Sequence, residues 1–214
     1  MAKEWALVIG LCLLVAASAL TYGLLSQGHH LVNNTSTSKV VNSNVPDGLE
    51  LTATIEPNSV AEGQNVSVVA EVNNTQSTTL EVDSISMTNP AYGPCGQGFA
   101  TGVRVYRGHY SLSSLSQANE LLLYNPSLTY LCPAVFTFQY TFSPDSAMAT
   151  IQASLGAYQA ENETRLVSET SVLTGYWVDS GLGYVFQRFP VGQYTVLIFD
   201  AWGDQAVGYF QVSP

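Results

Sequence analysis

The sequence predicts an all-β fold: an antiparallel sandwich of short strands, interrupted by a short helix-containing insertion and preceded by one N-terminal apolar helix. Three observations carry this reading. From Leu49 onward, apolar and polar residues alternate with period two in short runs broken by turn chemistry. Ahead of them, Trp5 to Leu25 is a stretch without a single charge. Two cysteines, Cys95 and Cys132, frame the part of the chain where the alternation fails.

The apolar stretch WALVIGLCLLVAASALTYGLL follows one Lys3–Glu4 pair. As a helix it would be roughly 30 Å long, the hydrocarbon thickness of a bilayer. Two readings stay open. As an anchor, the run continues through Leu20, Leu24 and Leu25 with Tyr22 at the interface level. As a signal peptide, it ends in a small-residue cleavage site at Ala17-Ser18-Ala19. Either way the rest of the chain is expected outside, on a single-pass membrane protein or secreted after cleavage. The expected organisation is 1–25 anchor or signal helix, 26–48 linker and 49–214 extracytoplasmic β domain, with the insertion at 89–133.

Charge narrows the partners. Beyond Glu4 the chain carries five Lys/Arg against fifteen Asp/Glu, and the formal net charge is −10. Nucleic acid and anionic lipid both need a basic patch that releases counterions, so neither is an expected partner. Only 10% of residues are charged, so Ser, Thr, Asn, Gln and Tyr supply most of the polarity. Such a surface suits an acidic medium, where carboxylates are neutral, and equally suits a glycosylated surface protein.

Residues 26 to 48, SQGHHLVNNTSTSKVVNSNVPDG, are rich in Ser, Thr and Asn and end in a Pro-Asp-Gly turn signal. They read as a flexible spacer. The neighbouring His29 and His30 lack the fixed geometry of a metal site.

LELTATI (49–55), NVSVVAEV (65–72) and TLEVDSISM (79–87) are predicted strands. The phrase Pro57 to Val69, PNSVAEGQNVSVV, resembles the first hairpin of immunoglobulin-like modules on prokaryotic surfaces. After Asn89-Pro90 come a strand candidate, VRVYRGHY (103–110), and SLSQANELLLY (114–124). In the latter, Leu115, Ala118 and Leu122 fall at helical spacing behind a Ser114-x-x-Gln117 capping box, and Pro126 stops it.

Cys95 and Cys132 are expected to form a disulfide, because thiols oxidise outside the cell. Closing 38 residues would restrict the unfolded chain by about 4 kcal/mol. A metal or nucleophile site would need more partners, since His109 is the one histidine beyond the linker. Cys12 lies within the apolar stretch and reads as packing.

AVFTFQYTF (134–142) and MATIQASL (148–155) form a predicted hairpin across SPDSA, and TRLVSETSVLTGYWV (164–178) is one long strand or a pair. In FPVGQYTVLIFDAWGDQAVGYFQV (189–212), two strands flank a tight turn at Asp200 to Asp204. Gly192-x-Tyr194-Thr195-Val196 resembles the opening of the penultimate strand in immunoglobulin-like and PKD-like domains. That resemblance implies that Tyr194 bonds back to the backbone at the corner. Asp200 and Gly203 match the D-x-x-G turn of those families; the cysteine and tryptophan spacing of antibody domains is absent. This ending and the Cys-framed insertion together resemble uncharacterised secreted or membrane-anchored proteins of thermophilic archaea, which implies lineage and location but no activity.

No catalytic constellation emerges, and no enzyme, cofactor or metal is expected. Glu161 and Glu163 flank a sequon and read as a solvated edge; Asp200 and Asp204 read as turn chemistry before a Ca²⁺ clamp, which wants more oxygen ligands. No serine has a nucleophile-elbow context with a histidine base. Gly93, Gly96, Gly98 and Gly102 precede no lysine or helix start that would make a phosphate loop. Five sequons, at Asn33, Asn34, Asn65, Asn73 and Asn162, are candidate glycan acceptors. Tyr92, Tyr106, Tyr110, Tyr124 and Tyr130 crowd the insertion, with Tyr140 beside it. Exposed, they would form a recognition face for carbohydrate or protein; buried, they pack the insertion onto the sandwich.

Three functions follow from these readings. The first is a non-enzymatic, glycosylated surface module that binds a protein or envelope partner. The second is a filament or layer subunit in which Leu31 to Val45 adds as a strand to a neighbour's sheet edge. The third is the exported subunit of a membrane enzyme complex.

Overall fold

The computed structural model describes residues 48–85, 100–128 and 136–214. The chain divides at Asn33 into two units, and every described residue belongs to the second, Asn34–Pro214. The stretch Trp5 to Leu25, the linker up to Asp47, the predicted Cys95–Cys132 disulfide, Cys12, His29, His30, Asn33, Asn34, Tyr92 and Tyr130 all lie outside the described residues. Among the described residues no helix is long and apolar enough to cross a membrane.

What is described is nearly all β. In chain order the strands are β1 (Leu49–Glu56), β2 (Ser59–Ala61), β3 (Val66–Asn74), β4 (Leu80–Ile85), β5 (Thr101–Arg107), β6 (Glu120–Leu121), β7 (Thr137–Phe142), β8 (Met148–Leu155), β9 (Tyr158–Gln159), β10 (Glu163–Leu166), β11 (Ser168–Leu173), β12 (Gly175–Asp179), β13 (Tyr184–Arg188), β14 (Gly192–Asp200) and β15 (Gln205–Ser213). They build a three-stranded sheet β1-β3-β11 and a five-stranded sheet β2-β15-β14-β5-β6. A further sheet, β10-β8-β7-β4, carries β9 on β8, and β12 and β13 form a two-stranded ribbon. All pairings are antiparallel except β2 with β15, which is parallel.

Alternation explains the main core. Leu49, Leu51, Ala53 and Ile55 of β1 and Val66, Val68, Ala70 and Val72 of β3 are buried, while Glu50, Thr52, Thr54 and Glu56 take the other face, as the two-residue period requires. Tyr194, Val196 and Ile198 of β14 and Ala206, Phe210 and Val212 of β15 join them in one cluster. Each Val, Leu, Ile or Phe among them contributes about 1.5–3 kcal/mol by leaving water. Gly208 makes room in this core: a Cβ there would run into the Ile55 side chain.

A single continuous stretch, Glu163 to Asp179, feeds three sheets. β10 pairs with β8; then Val167 donates its N–H to Ala147 O and accepts from Val72 N, handing the chain to β3 as β11. Beyond Leu173 it leaves again as β12. The sequence predicts one long strand or a pair here; the finding is three.

The β14–β15 turn ties the sheets together. Trp202 packs edge-on against Tyr140 and Phe142 at 5.1 and 5.8 Å between ring centroids, and its indole N–H donates to Asp83 O at 3.0 Å.

Two expectations for the insertion change. Within the predicted 89–133 insertion, Thr101–Arg107 is an inner strand of the five-stranded sheet, flanked by β14 and β6. The predicted helix is one 3₁₀ segment, Leu112–Gln117, whose capping pair is Ser111 and Ser114 rather than Ser114 and Gln117. Ser111 N–H donates to Ser114 Oγ at 2.9 Å. Beyond it, Glu120 and Leu121 pair with β5, because strand pairing satisfies backbone groups that a marginal, short helix would leave open.

Candidate functional site

Of the tyrosines expected to form a face, the described Tyr106 and Tyr110 pack over the five-stranded sheet. Tyr106 is buried with Leu115, Leu197 and Val207 in a second core on the outer face of the five-stranded sheet, and Tyr110, Leu112 and Ala118 pack against it. Burial pushes the Tyr106 phenol upward. Tyr140 belongs to the main core, and burial raises it to about 12. Tyr124 is half-buried. The residues 108–118 thus cover part of the sheet that would otherwise face water.

At the margin of this cover lies a cleft of about 220 Å³, lined by Asn58, His109, Gln193, Tyr209, Phe210 and Gln211. The His109 ring stacks on Tyr209 at 4.1 Å and 18°. A larger, open groove of about 490 Å³ runs over the β10-β8-β7-β4 sheet; its lining includes Asp83, Thr137, Gln139, Gln152, Ser154 and Gln159. Cross-strand register sets Asp83 beside Gln139 and Gln139 beside Gln152.

Among the described residues, a cluster of exposed apolar side chains lies elsewhere, on the β12–β13 ribbon. Its register pairs Trp177 with Phe186 and Val178 with Val185, so one face carries the aromatic pair and the other the valines. Leu182 stands at the tip fully exposed (101%), and Val185 is 57% exposed. The tip satisfies its own backbone. Ser180 donates both its N–H and its Oγ–H to Gly183 O, at 2.8 and 2.7 Å, and Gly181 N–H donates to Asp179 Oδ1 at 2.8 Å. Gly181 and Gly183 adopt positive φ, +79° and +138°, which side chains rarely tolerate. At the root, Trp177 N–H donates to Leu122 O at 2.7 Å, and the Arg188 guanidinium donates to Asn65 Oδ1 at 3.1 Å and Thr174 O at 3.2 Å. The expectations from sequence pass over this ribbon. The signal was present in the Ser-Gly-Leu-Gly turn between two apolar runs.

Of the described sequons, Asn65 and Asn162 are exposed and Asn73 is half-buried, with its amide donating to Glu71 Oε1 at 3.0 Å. Glu163 lies 3.8 Å from Arg165, whose guanidinium also approaches Glu169 at 3.7 Å.

Asp200 and Asp204 serve the turn. Asp200 Oδ1 accepts from the backbone N–H groups of Trp202, Gly203 and Asp204 at 2.9, 2.7 and 2.9 Å, while Oδ2 is buried without a partner. Burial pushes the Asp200 carboxyl up to about 6, against the three backbone donors and with help from the Asp204 charge. Among the described residues no three His, Cys, Asp or Glu side chains come together in a metal-binding group.

No protein-family model matches this chain, and no curated protein is similar enough to it to count as a match.

Proposed function

We propose that this protein is an extracytoplasmic, glycosylated recognition module built on an immunoglobulin-like sandwich, tethered by its N-terminal apolar stretch, that binds a protein partner without chemistry of its own. For the fold, the support is the strand order β1-β3-β11 against β2-β15-β14-β5-β6, the parallel β2–β15 pair, and the Tyr194 corner. For the function, one observation carries the reading: the β12–β13 ribbon exposes apolar side chains on both faces and at its tip. A two-stranded ribbon gains little stability alone, and exposed apolar patches of this kind mark interaction sites. The glycan acceptor Asn65 sits at the ribbon's root through Arg188.

The test places a photo-crosslinking residue at position 182 of the full chain in its native membranes. A discrete protein adduct that disappears when Val185 and Phe186 are both replaced by Ser supports the reading. Adducts with lipid alone, or an adduct indifferent to those replacements, overturn it.

The alternative of assembly by strand addition has one observation in its favour. Among the described residues β1 pairs on one side only, with β3, so its other edge is open to an extended segment. An adduct formed with a second copy of this chain, mapped to β1, would decide for it.

A further inference from the structure

We propose that the cleft at His109 and Tyr209 is a binding subsite for one neutral sugar residue. The proposal does not depend on the ribbon, which lies on other strands.

The site is held in place before any ligand arrives. Gly108 N–H donates to Gln193 O at 2.8 Å, Thr195 Oγ–H donates to Gly108 O at 2.7 Å, and Tyr110 N–H donates to Thr195 Oγ at 2.9 Å. His109 is thereby clamped to β14 on both sides. Its ring lies on Tyr209, whose hydroxyl donates to Tyr110 O at 3.0 Å. One imidazole face is thus covered, and His109 remains exposed, so its accessible surface is the other face and the ring edge. A platform fixed this way loses little freedom when something stacks on it.

Around the platform stand amides. Gln193 and Gln211 are direct cross-strand partners, which sets their side chains next to each other on the outer face. Asn58 comes from the loop before β2, tied down where Gln211 N–H donates to Asn58 O at 2.8 Å. The Gln193 and Gln211 amides each offer two donors and an acceptor oxygen, the complement of adjacent hydroxyl groups. Among the described residues no acidic or basic side chain apart from His109 lines the cleft, so an ionic ligand would lose water without gaining a counter-charge there. A pyranose ring meets these demands: an apolar C–H face for the aromatic ring, a hydroxyl edge for the amides, and a size suited to about 220 Å³. The larger groove, lined in part by the Asp83 carboxylate, meets them less well.

Two sources carry this chemistry: a glycan of another molecule, and an N-glycan on a second copy of this chain. Full-length protein in detergent is titrated with the methyl glycosides of glucose, mannose, galactose and N-acetylglucosamine, read by saturation-transfer NMR. The expected result is transfer to the ring C–H protons of at least one of them with a Kd on the order of 1 mM. His109→Ala and the double variant Gln193→Ala/Gln211→Ala should weaken it about tenfold or more, and Gln152→Ala in the other groove should leave it unchanged. His109, Gln193 and Gln211 are exposed and Gln152 is half-buried, and unchanged melting of each variant confirms folding. No transfer to any of the four glycosides overturns the proposal, as does transfer that neither cleft variant weakens. Sedimentation of natively glycosylated protein then separates the sources. Self-association lost in both His109→Ala and Asn65→Gln/Asn73→Gln/Asn162→Gln assigns the ligand to a second copy, whereas glycoside binding without self-association assigns it to an external glycan.

Discussion

The Tyr194 hydroxyl donates a 2.7 Å hydrogen bond to the carbonyl of Pro190, four residues earlier in the same chain, while its ring lies stacked on Phe210 at 4.9 Å. The bond fixes the entry into β14 from the loop after β13. Burial of this phenol raises it to about 12, so it stays a donor at any physiological pH. Tyr194→Phe keeps the stack and removes the bond. It should cost about 1–2 kcal/mol in urea unfolding, with the circular dichroism of the native state unchanged.

Gly208 and Ile55 face each other across the two sheets, and a side chain at 208 would occupy the space of the Ile55 tip. Gly208→Val is therefore expected to destabilise by about 1–3 kcal/mol through overpacking. Combining it with Ile55→Ala should be less destabilising than the sum of the two changes, by about 1 kcal/mol. A double-mutant cycle in denaturant measures that coupling; strict additivity would mean that the contact is not the cause.

Buried Asn74 joins the β3–β4 turn to the β7–β8 turn. Its amide donates to Thr78 O at 2.8 Å and Ser143 O at 3.1 Å, and its Oδ1 accepts from Gln76 N–H at 2.9 Å. Asn74→Ala removes the partner of two carbonyls and one N–H, an expected loss of about 2–3 kcal/mol. Since the sequon Asn73-x-Thr75 survives, glycan occupancy at Asn73 should not change, and intact-mass measurement checks it.

Asp200 makes stability depend on pH in an uncommon direction. Its carboxyl is raised from 3.8 unfolded to about 6 folded, so the folded state binds the proton more tightly. Stability from this group is absent above pH 6, grows as pH falls toward 4, and is complete below. The gain is on the order of 2–3 kcal/mol. Glu169, also raised by burial, acts in the same sense. The melting temperature should rise between pH 7 and pH 4, and the rise should shrink clearly in Asp200→Asn. Such a trend would also favour the acidic medium suggested by the carboxylate-rich, amide-wetted surface.

Leu182 is fully exposed at the ribbon tip. Leu182→Asp should change unfolding free energy by no more than about 0.5 kcal/mol while abolishing partner binding. A large stability loss would instead make the tip part of the fold.

Much of the strand pattern is legible without coordinates. β1, β3 and β8 follow their alternating runs closely because each has one face against a core, and burial writes period two into the residues. Tyr194 and the Asp200 turn are also legible, since both bonds lie within five residues of chain. The capping of Leu112–Gln117 and the pairing of Glu120–Leu121 are not, because apolar residues at helical spacing fit equally well over a sheet face. The cleft is illegible for a similar reason. Asn58, His109, Gln193 and Gln211 are unremarkable polar residues until pairing gathers them.

By itself the sequence determined the all-β class, most strand positions, the scarcity of charge and the sequons, because alternation, composition and turn chemistry are local properties. Only the tertiary structure decided that Glu163 to Asp179 serves three sheets, that Tyr106 and Tyr140 are buried in two separate cores, and that His109 stacks on Tyr209 beside a pair of amides. Those outcomes depend on which strands pair and in what register. Pairing is settled by burial and backbone hydrogen bonds summed over the whole domain, a sum that no short window of residues contains.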